Sequence, residues 1–152
     1  MASLDLCIDP QDYRPEMLQP ATEGSLLQVL LVEDDDADAY LISEVLMRDP
    51  RVGVIRRARD GVEALEMIDE GRAPPHLAII DLHMPRKNGF SLLLELSVRP
   101  ISGCALAVLT SSVADADAIR SKLRGANYYL TKPVAMASLA VALSDLITDV
   151  IS

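Results

Sequence analysis

The chain has no tryptophan, a single phenylalanine (Phe90) and only two cysteines, Cys7 and Cys104. A core without large aromatics must be built from Leu, Ile, Val and Ala, which suits helices packed on a sheet. Two distant cysteines without metal-ligand spacing argue against a disulfide framework and for a reducing compartment. Basic residues are in deficit: 14 Lys and Arg face 23 Asp and Glu, a net charge of −9. Such a surface repels phosphate backbones, so no nucleic-acid partner is expected. No apolar run is long enough to span a bilayer. No basic segment leads into an apolar stretch at the N-terminus, so neither a signal peptide nor a membrane partner is expected and the location is read as cytoplasmic.

What remains is 152 residues, half of them apolar, enough for one domain with a real core. Residues 1–25 stand apart. Pro10, Pro15 and Pro20 interrupt them, and Asp5, Asp9, Asp12, Glu16 and Glu23 outnumber Arg14. They read as an N-terminal arm, either solvated or packed on this domain or a second copy. Residues 26–152 form the domain proper.

Five short apolar runs alternate with amphipathic stretches. Leu26–Val32, Val52–Ala58, His76–Asp81, Ala105–Thr110 and Asn127–Thr131 read as strands. Between and after them, Ala37–Met47, Gly61–Glu70, Phe90–Val98, Val113–Arg124 and Met136–Ile147 read as helices. Asp36 is the expected cap of the first helix, with Tyr40, Leu41, Val45 and Leu46 on its inner face. Gly71, Pro100 and Gly125 are expected stops. In the last helix Met136, Leu139, Ala140, Leu143 and Ile147 share a stripe. Strands apolar on both faces, alternating with helices, predict a parallel α/β sheet covered on both sides.

Ligands of such sheets bind at the carboxyl ends of the strands. Those ends carry Glu33-Asp34-Asp35-Asp36, Asp81, Thr110-Ser111-Ser112 and Thr131-Lys132-Pro133. Carboxylates, hydroxyls and one ammonium therefore converge on one rim. Clustered carboxylates need a counter-charge, and an oxygen-rich acidic cluster suits a hard divalent cation such as Mg²⁺. Asp35, Asp36 and Asp38 read as ordinary acids at a helix start. Glu33 and Asp34, the first residues off their strand, read as ligands.

At this point the residues resemble a family. VLLVEDDDADAYLI, IIDLHMPRKNGF, AVLTSS and YYLTKP, in that order, resemble the receiver domain of two-component response regulators across about residues 27–148. The resemblance implies a flavodoxin-like doubly wound (βα)5 sandwich with five parallel strands in order 2-1-3-4-5. It implies that Asp81 is the phosphoacceptor, that Asp34 and Asp81 ligate Mg²⁺ directly (Mn²⁺ being a substitute), that Glu33 acts through water, and that His83 lends its backbone carbonyl. Thr110 resembles the switch hydroxyl, Lys132 the lysine that pairs with Asp81 and then with phosphate, and Tyr129 the rotating aromatic. Tyr128 takes that role if the strand register shifts by one. The Lys132–Pro133 peptide is expected to be cis. Ser111 and Ser112 read as plain hydroxyls. Arg86 and Lys87 are either solvated or kinase contacts.

The implied donor is a sensor histidine kinase. The loop near Asp49 to Gly53, the style of the phosphosite and the lack of an output domain resemble stand-alone receivers paired with bacteriophytochrome-like kinases. A homodimer through the fourth helix, fifth strand and fifth helix, and a downstream phosphotransfer protein, are further implied partners. Three rival readings fit the sequence less well. A haloacid-dehalogenase-like phosphatase would use Asp34-x-Asp36, but Ala37 stands where that family wants Thr or Val, and there is no room for a cap. An EF-hand loop counted from Asp34 fails at Ala39 and Val45, where Gly and Glu are required. A binding module that takes no phosphate would not need so complete a set of groups.

Overall fold

The computed structural model describes residues 26–70, 74–99 and 103–152. The expected arm 1–25, with Cys7, and the stops at Gly71 and Pro100 lie outside them. Ten elements alternate along the described chain: β1 (Leu27–Val32), α1 (Asp36–Met47), β2 (Val52–Ala58), α2 (Gly61–Asp69), β3 (Leu77–Ile80), α3 (Gly89–Val98), β4 (Ala105–Thr110), α4 (Asp115–Leu123), β5 (Tyr128–Thr131) and α5 (Met136–Val150). The strands form one parallel sheet in the order β2-β1-β3-β4-β5. This is the flavodoxin-like arrangement that the resemblance implies.

The sheet is buried from both sides because alternate residues of its central strands are all apolar. On one face Val29, Leu31, Ile79, Ala107 and Leu109 meet Ala39, Ile42, Val45 and Leu46 of α1 and Leu139, Leu143, Leu146 and Ile147 of α5. On the other, Leu30, Val32, Ile80 and Val108 meet Ala64 and Leu65 of α2 and Phe90, Leu92, Leu93 and Leu96 of α3. Each fully buried Leu or Ile contributes roughly 1.5–3 kcal/mol relative to exposure. Helix α4 lies beside α3 and β5 but buries only Ser121. Among the described residues no helix is long and apolar enough to cross a membrane.

Several local expectations are corrected. The cap of α1 is Asp35, not Asp36: its extended backbone lets the carboxylate accept from the Asp38 N–H at 3.0 Å. Asp36 begins the helix and binds Arg57 of β2 and Arg59 just beyond its end. Tyr40 and Leu41 are exposed, because the buried stripe of α1 runs through Ala39 and Ile42 instead. Met136 and Ala140 likewise face outward on α5. Helix α4 starts at Asp115, leaving Val113 exposed in the preceding loop. Gly125 does follow α4, in the left-handed conformation (φ 107°) that suits a glycine stop. The Lys132–Pro133 peptide is trans, as are all described peptides. The trans form of an X–Pro bond is the intrinsically favoured one, and the turn after β5 is made without departing from it.

Candidate functional site

The sheet order reverses at β1, which has β2 on one side and β3 on the other. That crevice is where a parallel α/β sheet receives ligands. The pairing of Val32 with Ile80 brings the next residues of both strands, Glu33 and Asp81, to the same level of the rim. The Asp81 N–H donates to the Val32 carbonyl at 3.0 Å, and the Glu33 N–H to the Ala58 carbonyl at 3.0 Å. Glu33, Asp34 and Asp81 then each place a carboxylate oxygen within 4.8 Å of the others. Glu33 is buried at 1% exposure, Asp81 nearly so at 9%, and Asp34 faces solvent.

Lys132 enters from the end of β5, where its N–H donates to the Thr110 carbonyl at 2.7 Å. Its ammonium donates to Glu33 Oε1 at 2.7 Å and to Asp38 Oδ2 at 2.8 Å, and stands 3.7 Å from Asp81 Oδ2. Burial works against this charge, but the hydrogen bonds to Asp38 and Glu33 and the nearby Asp81 carboxylate outweigh it and raise the lysine's pKa. Glu33 shows the opposite strain. Burial pushes its carboxyl up to about 7, the Lys132 hydrogen bond pulls it down, and the charge of Asp81 adds to the rise. One ammonium therefore serves three carboxylates, and Asp34 adds a fourth negative charge beside them. The all-oxygen donor set and its unbalanced charge fit a hard divalent cation.

Thr110 is completely buried at the end of β4, and its Oγ1 accepts from the Ser112 N–H at 3.3 Å. Tyr129 packs against the same face of the sheet, and its hydroxyl donates to the Ser112 carbonyl at 3.2 Å. Tyr128 lies on the opposite face, with its hydroxyl donating to Asp149 at 2.6 Å. The His83 side chain is largely exposed, lies 3.5 Å from Asp117 and meets the edge of Phe90. Cys104 is a free thiol that burial pushes up to about 11, a poor nucleophile.

The structure thus gathers Glu33, Asp34, Asp81 and Lys132, with Thr110 and Tyr129 on one adjoining face. Three participants were missed. Asp38, read as an ordinary helix acid, is a second partner of Lys132; the available signal was its place one turn on from Asp34. Ser112, read as a plain hydroxyl, joins Thr110 and Tyr129 through its backbone and donates its own hydroxyl to Asp117 at 2.6 Å. Asp60 carries no motif signal in the sequence, yet it is buried and takes both Nε and Nη2 of Arg86. Arg86 and Lys87, left open between solvent and kinase, pair within the molecule, Lys87 with Glu95.

Residues 29–144 match the family described as the response regulator receiver domain. The chain belongs to this family. Among its receiver relatives is the response regulator Rcp1 of Synechocystis, 34% identical over 110 residues that cover 68% of this chain and 75% of Rcp1. The crystal structure of a Mn²⁺-bound form of Rcp1 superposes with a TM-score of 0.71 at 31% identity, over 79% of this chain and 91% of that one. The phosphorylated cyanobacterial phytochrome response regulator RcpA superposes with a TM-score of 0.71 at 28% identity, over 80% and 91%. A protein-glutamate methylesterase/protein-glutamine glutaminase of Pyrococcus horikoshii is 31% identical over 130 residues, 85% of this chain. This receiver spans about a third (34%) of that relative's length. Receivers are phosphoacceptor signalling domains that bind Mg²⁺ and take phosphate from sensor histidine kinases, and they are generally not enzymes. A dehalogenase-like phosphatase is not favoured.

Proposed function

We propose that residues 26–152 form a receiver whose phosphoacceptor is Asp81. The observation that carries this reading is the position of Asp81 at the end of β3. Its carboxylate lies beside Glu33 and Asp34, and Lys132 stands 3.7 Å away while hydrogen-bonding two other acids. Asp34, Asp81, the His83 backbone carbonyl and, through water, Glu33 would hold Mg²⁺ (or Mn²⁺), which neutralises charge on the transferred group when bound. Asp81 attacks the phosphorus of a phosphohistidine, the P–N bond breaks, and an aspartyl-phosphate forms. Lys132 exchanges part of its pairing with Glu33 and Asp38 for a phosphoryl oxygen. The Thr110 hydroxyl gives up the Ser112 N–H and donates to another. Later attack by water on phosphorus resets the protein, so the chain assists its own dephosphorylation.

Moving Thr110 disturbs Ser112, and Ser112 holds the Tyr129 hydroxyl and Asp117 of α4. The signal therefore leaves along α4, β5 and α5. Converting a population from about 1:99 to 99:1 needs roughly 5.5 kcal/mol, within reach of a few charge-assisted hydrogen bonds to phosphate. Exposed Ile119, Leu123 and Val141 on that side fit a homodimer surface. The partner kinase is read as bacteriophytochrome-like, the location as cytoplasmic, and the output as contact, relay to a phosphotransfer protein, or a phosphate sink. Residues 1–25 are read as an appended arm.

The test is incubation with acetyl phosphate and Mg²⁺, comparing the parent with Asp81→Asn on a Phos-tag gel. The parent shifts and the variant does not. Equal labelling of both overturns the assignment, and label on Asp34 favours the phosphatase reading. Onward transfer to a histidine protein marks a relay, and simple release marks a sink.

A further inference from the structure

Arg86 is the only non-glycine residue with positive φ (60°) among the described residues. It lies in the loop between Asp81 and Gly89. An L-residue holds this conformation only when its surroundings compensate the strain. Here the compensation is Asp60, buried at 5% exposure. Arg86 Nε donates to Asp60 Oδ2 at 2.6 Å and Nη2 to Oδ1 at 3.1 Å, a two-point grip that a lysine cannot reproduce. Asp60 is fixed in turn, because its Oδ1 accepts the Glu63 N–H at 2.9 Å and caps α2. The next residues repeat the attachment: the Gly61 N–H donates to the Lys87 carbonyl at 3.0 Å. A Cβ on Gly61 would fall 2.7 Å from that same oxygen, so the approach requires glycine.

The end of β2 also holds the other half of the site. Ala58 accepts the Glu33 N–H, and Arg57 donates Nε and Nη2 to the Glu33 carbonyl at 3.0 and 2.9 Å. Residues 57–61 therefore grip both the strand end that carries Glu33 and Asp34 and the loop that follows Asp81.

We propose that Asp60 and Arg86 are positioning residues: their clamp sets the spacing between Asp81 and the Glu33–Asp34 pair, and with it the affinity of the site for a divalent cation. This rests on the phosphoacceptor reading above. Neither residue reaches the carboxylate trio; they act through the loop.

The experiment is calorimetric titration of Mn²⁺ alone into the full chain and into Asp60→Ser, Arg86→Gly, the double variant and Arg86→Lys. Serine keeps a cap for α2, and glycine keeps the left-handed turn, so each removes the grip without the local fold. Both single variants should weaken Mn²⁺ binding about tenfold, as loss of supporting contacts behind a metal site does. The double should be no worse than either, and Arg86→Lys should fall between. Urea unfolding in EDTA confirms which variants are folded. Parent-like Mn²⁺ affinity in either folded single variant overturns the clamp, as does an additive double. A parent that takes up no Mn²⁺ overturns the clamp and its premise together. Failure of the premise alone reads out separately, as unchanged phosphorylation of Asp81→Asn.

Discussion

Lys132 hydrogen-bonds Glu33 at 2.7 Å, a full ångström closer than its approach to Asp81. The lysine thus supports a buried acid as well as facing the proposed nucleophile. Lys132→Met should destabilise the protein in EDTA by about 2 kcal/mol, because Glu33 is left buried without its cation. Adding Glu33→Gln should restore most of that loss. Urea unfolding of the two variants measures both.

Asp81→Asn should have the opposite sign. Asp81 adds a negative charge within 4.8 Å of Glu33 and Asp34, while both hydrogen bonds of Lys132 go to other acids. Neutralising it should stabilise the protein in EDTA by about 1 kcal/mol. A loss of stability in urea unfolding would contradict the assigned repulsion.

The Glu33 carboxyl, facing Lys132, Asp81 and Asp34, sits at about 7 in the folded chain against 4.5 ordinarily. Below pH 4.5 both folded and unfolded chains hold this proton, and its contribution to stability is complete. Between pH 4.5 and about 7 the unfolded chain releases the proton and the folded chain retains it, so stability falls as pH rises. The slope from this group is at most about 1.4 kcal/mol per pH unit. Glu33→Gln should flatten that part of the profile, measured by urea unfolding in EDTA across the range.

Gly89 opens α3 at a point where the backbone just after β3 passes very close. A Cβ there would lie 2.7 Å from Leu82 Cα and collide with the Asp81 carbonyl oxygen. Gly89→Ala should cost about 1–3 kcal/mol and slow phosphorylation from acetyl phosphate by displacing Asp81. Unfolding and initial-rate measurements on the same sample check both effects.

The strand ends were legible because period and polarity change together there: an apolar run stops at an acid in β1 and β3 and at hydroxyls in β4. That was enough to place Glu33, Asp34, Asp81, Thr110 and Lys132 on one rim and to predict a parallel α/β sheet. The resemblance added the strand order, the role of each of these residues and Tyr129. Pairings across the chain were not legible. Asp35 and Asp36 are both good caps, and the choice between them follows from Arg57 of β2 and Arg59 just after it claiming Asp36. Tyr40 and Ile42 compete for the inner face of α1, and the packing partners on α5 decide. The Asp60–Arg86 grip joins residues 26 positions apart through a backbone conformation that a sequence does not announce for arginine.

Helix α4 buries one residue, Ser121, whose hydroxyl has no hydrogen-bond partner among the described residues. Its amide protons should therefore exchange with solvent through local openings far shallower than global unfolding, while those of the central strands wait for the whole domain to open. The element nearest Ser112 and Tyr129 should thus open on its own, because none of its side chains belongs to the aliphatic clusters on either face of the sheet.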